Sequence, residues 1–212
     1  KTFRMAASAI IMRIFVRCSM LSRLGNWSRW SLVSMTTAWH DLRPKPMSHE
    51  YNASICQRIE VAPGLIILKV APDVPFPVFV PGQYTVLGLR KGEPRVASAE
   101  AEDAAGNQDH MIKRAYSIAS GSDSESLEFY IALVTSGELT PRLFHLGIKS
   151  RLFSGTKPTG MFTLSRVPPD KSVLLVATGT GLAPYMSMLR SEALGSNQRR
   201  FVVVHGARYS WD

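Results

Sequence analysis

The chain is 212 residues long and 45% hydrophobic, with 25 Lys and Arg against 16 Asp and Glu and a formal net charge of +9. That length holds one large or two small domains, and that apolar content buries a real core, which excludes a disordered chain. Two cysteines, Cys18 and Cys56, stand apart with no CxxC or Cys/His cluster around them. They argue against a disulfide scaffold and a zinc centre and suit a reducing cytoplasm.

The charge is unevenly spread. Residues 1–46 carry eight basic residues and a single acid, Asp41, whereas residues 47–212 carry 17 basic and 15 acidic residues. A high net charge suggests nucleic acid or an anionic membrane, but here it describes the front segment and not the body. Residues 1–46 hold three of the four tryptophans, no Glu and no steady periodicity. They read as an extraneous or disordered basic segment, with a targeting peptide or a nucleic-acid arm as alternatives, and Met47 is a reasonable start. The apolar patch at 6–16 is cut by Arg13 and is too short to span a bilayer. The expectation is a cytoplasmic monomer with no nucleic-acid or membrane partner.

From Tyr51 onward, short apolar runs alternate with turn signals. Residues 54–61, 65–70, 83–89, 114–119, 127–134 and 151–153 are predicted strands, two of them following Pro-Gly pairs. Many short strands between turns predict an antiparallel barrel or sandwich over 51–168. The charged, Ala-rich stretch between Leu89 and Lys113 is predicted to be a long exposed loop. Thr140 and Pro141 start a predicted helix, with Thr140 as N-cap and Gly147 as its stop. After residue 170 the pattern is an apolar run at 173–176, a Gly-Thr-Gly turn, a helix at 182–193 and a second apolar run at 201–205. That is β-α-β, the unit of a parallel sheet. One unit is too little to cover both faces of a doubly wound sheet, so the domain at 170–212 is expected to be incomplete at its C-terminal end.

Four stretches carry chemistry. On a strand Arg114 and Tyr116 share one face and Ala115 and Ser117 the other. A guanidinium beside a phenol ring can hold a phosphate and stack on a flat heterocycle, although taken alone the pair reads better as an ordinary strand face with an exposed Arg and a half-buried Tyr. The free N–H groups at the start of the 140–146 helix form an anion site. A strand, the turn Gly179-Thr180-Gly181 and a helix start make a phosphate-binding geometry. Where G-x-G-x-x-G has its third glycine stands Pro184, which suits the first turn of a helix. Arg208, past the second run, leans toward NADP, since Arg accommodates a 2′-phosphate where an acid binds a free hydroxyl.

Taken in order, Arg114-Ala-Tyr-Ser117, Gly137-Glu-Leu-Thr-Pro-Arg-Leu143, Ala177-Thr-Gly-Thr-Gly-Leu-Ala-Pro184 and His205-Gly-Ala-Arg-Tyr209 resemble the ferredoxin–NADP reductase family. The wording is most like its bacterial branch, and the resemblance covers about residues 51–212. It implies an antiparallel β-barrel FAD domain followed by an α/β parallel-sheet NADP domain, incomplete here. The implied enzyme is a flavoprotein oxidoreductase. It exchanges a hydride between NADP(H) and FAD and single electrons with ferredoxin or flavodoxin, the flavin making the two-to-one conversion. The alternative is an NAD(P)H-dependent flavin reductase component of an oxygenase or a related electron-transfer system.

By the same resemblance, Tyr116 packs against the isoalloxazine ring, Ser117 hydrogen-bonds near its reactive edge, and Thr180 sits between flavin and nicotinamide. Arg114 and Thr140 meet the FAD pyrophosphate, with Ala115 and Leu139 in the same motifs. Tyr130, Ile131, Ala132 and Leu133 line the ribityl and adenine side, partly through backbone. Gly179, Gly181 and Pro184 shape the loop under the pyridine nucleotide, and Ala207 and Arg208 contact its 2′-phosphate end. No metal is expected.

Overall fold

On two of the predicted strands, 65–70 and 127–134, every second residue is apolar, and the folded chain turns those residues to one side. The computed structural model describes residues 51–102, 105–194 and 199–207; the basic segment at 1–46 lies outside them. Strands β1 (Ala53–Ala62), β2 (Leu65–Pro72), β3 (Tyr84–Arg90), β4 (Met111–Ser117), β5 (Leu127–Ala132) and β6 (Arg151–Ser154) pair antiparallel in the order β4-β3-β6-β1-β2-β5. Helix α1 (Thr140–His145) connects β5 to β6. The β2–β5 register sets Ile66 opposite Ile131, Leu68 opposite Phe129 and Val70 opposite Leu127, and none of the six is more than 1% exposed. Opposed apolar pairs are the unit of sheet stabilisation, and burying each side chain contributes about 1.5–3 kcal/mol. Leu87, Leu89, Ile112, Leu143 and Leu152 join the same core.

Among the described residues no ladder joins the two edge strands, β4 and β5. The chain just past β4 reaches β5 through a backbone bond from the Ala119 N–H to the Glu128 carbonyl, 2.8 Å.

The second lobe follows the predicted β-α-β pattern. β7 (Val173–Thr178) and β8 (Phe201–Gly206) run parallel, with Val173 opposite Phe201 and Thr178 opposite Gly206. The predicted Gly-Thr-Gly turn is a tight 3-10 turn, Gly179–Leu182, and the helix predicted at 182–193 is the shorter α2 (Ala183–Arg190). The helix stops early because Glu192 takes a left-handed φ of 54°. Val173, Leu175 and Ala177 pack against Tyr185, Met188 and Leu194, while the alternate residues Leu174 and Val176 are exposed.

The described residues fall within one compact unit, and the two lobes meet at Gly82. Its φ is 101°, and a Cβ there would stand 1.9 Å from the Phe162 carbonyl oxygen and 2.8 Å from Met188 Cε. Gly82→Ala is therefore expected to cost at least the roughly 1–3 kcal/mol of a strained backbone. Chemical denaturation reads it as a lowered midpoint.

Candidate functional site

The β3–β4 register places Arg114 opposite Leu87 and Tyr116 opposite Thr85. Arg114 and Ala115 are exposed, and Tyr116 and Ser117 are half-buried. The Tyr116 ring meets Phe129 edge-on, with centroids 6.5 Å apart and planes at 74°. Burial pushes the Tyr116 phenol up from 10.0 to about 12, against an opposing pull from Arg114. The folded state thus holds the phenol proton more tightly than the unfolded chain does. Its contribution to stability is complete below pH 10.0 and is lost as pH rises through about 12. Tyr116→Phe is expected to lose less stability across that window, as read from denaturation midpoints against pH alongside phenolate absorbance.

Arg114 also joins two of the motifs. Its Nη2 lies 2.7 Å from Glu138 Oε2, so the edge of β4 and the turn before α1 face each other. Both side chains are about half exposed, 56% and 50%, and such a pair contributes only about 0–1 kcal/mol. A competing anion of suitable geometry could displace the carboxylate at little cost.

Thr140 is not the N-cap that its sequence context predicts. It is the first residue of α1, Leu139 occupies the cap position, and no side chain caps the helix. The Thr140 hydroxyl instead accepts the Val134 N–H at 3.0 Å and donates to the Val134 carbonyl at 3.2 Å. β5 ends at Ala132, so the backbone of Val134 lies beyond the ladder, and the hydroxyl satisfies it. Leu139 and Ile131 are buried in the core, 2% and 1% exposed, so their side chains face away from any ligand. Tyr130 and Leu133 are half-buried and Ala132 is exposed.

Residues 91–102, in the stretch predicted as exposed loop, form a loop that also acts as a brace. Arg142 on α1 is only 2% exposed. Its guanidinium donates to the Lys91 carbonyl, to the Glu138 carbonyl at 2.6 Å and to Glu102 Oε2 at 2.6 Å. Arg95 donates to the carbonyls of Glu100, Thr135 and Gly137, and the Val96 N–H to that of Pro141. Residues 91–102 therefore wrap the 134–141 turn and hold it. Hydrogen bonding from Arg142 keeps the Glu102 carboxyl below its usual range. The local sequence marks these residues only as charged, and charges in a loop read as solvated.

In the second lobe Gly179 has a φ of 50° with open space around it. The backbone, and not crowding, asks for glycine there. Thr180 is half-buried, Gly181 exposed and Pro184 buried as the second residue of α2. His205 Nε2 lies 3.1 Å from the Gly179 carbonyl, so a side chain from β8 braces the turn, and the Tyr185 hydroxyl donates to the Val176 carbonyl at 2.7 Å, fastening α2 to β7. The turn also lies against β5, with Cα atoms within 8 Å. Ala207 is exposed, and Arg208 lies outside the described residues. Among the described residues no three His, Cys, Asp or Glu side chains group as metal ligands. None of the described helices is long and apolar enough to cross a membrane.

No family model matches the chain. It is 32% identical over 146 residues to the flavodoxin/ferredoxin–NADP reductase of Buchnera aphidicola, a match covering 69% of this chain and 53% of that protein. It is 36% identical over 131 residues to the ferredoxin–NADP reductase of Azotobacter vinelandii, covering 61% and 44%. The chain thus spans about half the length of these curated relatives. A solved ferredoxin NADP+ reductase from Neisseria gonorrhoeae, with bound FAD and NADP, shares the fold with a TM-score of 0.62 at 21% identity, over 76% of this chain and 58% of that one. The relatives at 32% and 36% identity are thus flavodoxin/ferredoxin– and ferredoxin–NADP reductases, and the solved reductase shares this chain's fold.

Proposed function

We propose that the chain serves a flavoprotein oxidoreductase, a ferredoxin(flavodoxin)–NADP reductase. The reaction is hydride exchange between NADP(H) and FAD, coupled to single-electron exchange with ferredoxin or flavodoxin. The observation that carries this reading is the Arg114–Glu138 contact, which brings the Arg-Ala-Tyr-Ser strand and the Gly-Glu-Leu-Thr-Pro-Arg-Leu turn to one place beside Tyr116.

The side chains there fit FAD. A half-exposed guanidinium held by a surface pair and by the neighbouring Lys113 carbonyl suits a pyrophosphate, and a half-buried phenol ring on the same strand suits a flat heterocycle. FAD, when bound, supplies the conversion between a two-electron hydride and single electrons. The chain supplies position. Arg114 exchanges Glu138 for phosphate, Tyr116 offers its ring, and the Ser117 hydroxyl orients the reactive edge. Ala115, Leu139, Thr140 and the 130–133 segment complete the cradle, with Ile131 and Leu139 acting through backbone. Gly179, Thr180, Gly181 and Pro184 seat the pyridine nucleotide, and Ala207 and Arg208 its 2′-phosphate.

The same reading closes the six-stranded sheet into an FAD-binding barrel over 51–168 and begins the NADP domain at 170. It makes the protein a cytoplasmic monomer that uses neither nucleic acid nor membrane. The test is reconstitution. Purified chain incubated with FAD is expected to retain the flavin, and NADPH is expected to bleach it faster than NADH does. A chain that retains no FAD overturns the proposal.

A further inference from the structure

Arg190 closes α2 and reaches out of its own lobe. Its Nη1 donates to the Ala119 carbonyl at 3.0 Å and to Glu128 Oε1 at 2.5 Å. Glu128 is on β5 with only 10% of its side chain exposed, and its other oxygen lies 3.9 Å from Lys69 Nζ. One residue past Arg190, Ser191 Oγ accepts the Ser122 N–H at 2.9 Å. Gly121 fits between, where a Cβ would approach the Arg190 carbonyl to 3.3 Å. The end of α2 is thus fastened to segment 119–122 and to β5 by one cluster.

Both sides of the cluster lead to the proposed site. Ala119 stands two residues beyond Ser117, and Glu128 is next to Phe129, against which Tyr116 packs. On the other side, α2 grows directly out of the Gly179–Leu182 turn. A mostly buried carboxylate depends on its partner, because removing one half of such a pair leaves an uncompensated charge that draws in water and shifts its surroundings. Lys69 at 3.9 Å is a weak substitute.

We infer that the Glu128–Arg190 pair is a clasp that sets the angle between the sheet and the α2 lobe. It makes both residues positioning residues for the hydride exchange proposed above, on which reading the inference rests. Two flat rings must meet at contact distance, and a misplacement of about 1 Å can cost about a hundredfold in rate. A cavity of about 300 Å³ beside the pair, lined by Lys69, Ser120 and Ser124 among others, leaves room for exchanged side chains.

The test compares wild type with Arg190→Ala, Arg190→Lys, Glu128→Gln and the reversed pair Glu128→Arg/Arg190→Glu. Amide hydrogen exchange without cofactor is the first readout. At residues 119–123 and 187–191 it is expected to accelerate about tenfold or more in Arg190→Ala and Glu128→Gln, as local opening becomes easier. Arg190→Lys is expected to restore protection, and the reversed pair is not, because it sets a cation beside Lys69 and removes the donor to the Ala119 carbonyl. In FAD-loaded protein, flavin reduction by NADPH is expected to slow about ten- to a hundredfold in Arg190→Ala. FAD content and the Kd for NADP+ are expected to stay near wild type. Unchanged exchange overturns the clasp, and a rate loss that tracks loss of FAD overturns the positioning role. A wild type that takes up no FAD sinks the functional reading and the positioning role with it, while the exchange data still judge the clasp.

Discussion

Arg142→Ala is expected to destabilise the sheet lobe by about 3–5 kcal/mol, the usual cost of removing one partner of a buried ion pair. Arg142 is 2% exposed and donates to a carboxylate and two carbonyls at once. Its loss leaves the carbonyls of Lys91 and Glu138 short of a donor and Glu102 with the more distant Arg95, 3.7 Å away. The brace over 91–102 then has little to hold it to the turn before α1. Denaturation midpoints measure the loss, and a fall under 1 kcal/mol would show that water replaces the guanidinium. Acid adds a second check. The Glu102 carboxyl lies below its usual value of 4.5 in the folded chain, so its contribution is complete above that pH and fades as pH falls below it. Arg142→Ala is expected to remove that acid sensitivity.

Arg114→Ala is expected to behave in the opposite way, with little change in stability and a large change in cofactor affinity. The Arg114–Glu138 pair is half exposed and contributes about 0–1 kcal/mol to the fold. Charge-assisted hydrogen bonds to a phosphate contribute about 1.5–3 kcal/mol each, so FAD affinity is expected to fall about ten- to a hundredfold. Glu138→Gln removes the competing carboxylate and is expected to tighten binding. Flavin fluorescence titration measures both. An Arg114→Ala protein with wild-type affinity would remove this residue from the proposed cradle.

Local spacing made much of this chain legible. Alternation of apolar residues placed β2 and β5 to within a few residues, because a strand puts every second side chain on one face wherever it sits. The Gly-Thr-Gly turn between an apolar run and a helix announced the parallel pair β7 and β8, because a helical crossover returns the chain to run parallel. The order of four motifs pointed to the family that the relatives then supported. Spacing misled where a side chain had a distant choice. Thr140 has the composition of a cap, yet its hydroxyl is taken by the backbone of Val134. Leu139 stands in a motif but faces the core.

What no stretch of sequence announced are the pairings across loops: Arg142 with Glu102, 40 residues apart, and Arg190 with Glu128, 62 apart. A charged side chain carries no periodicity that names its partner. Which carboxylate it finds depends on strand register, on loop closure and on how deeply folding buries the two groups, and those are properties of the assembled chain.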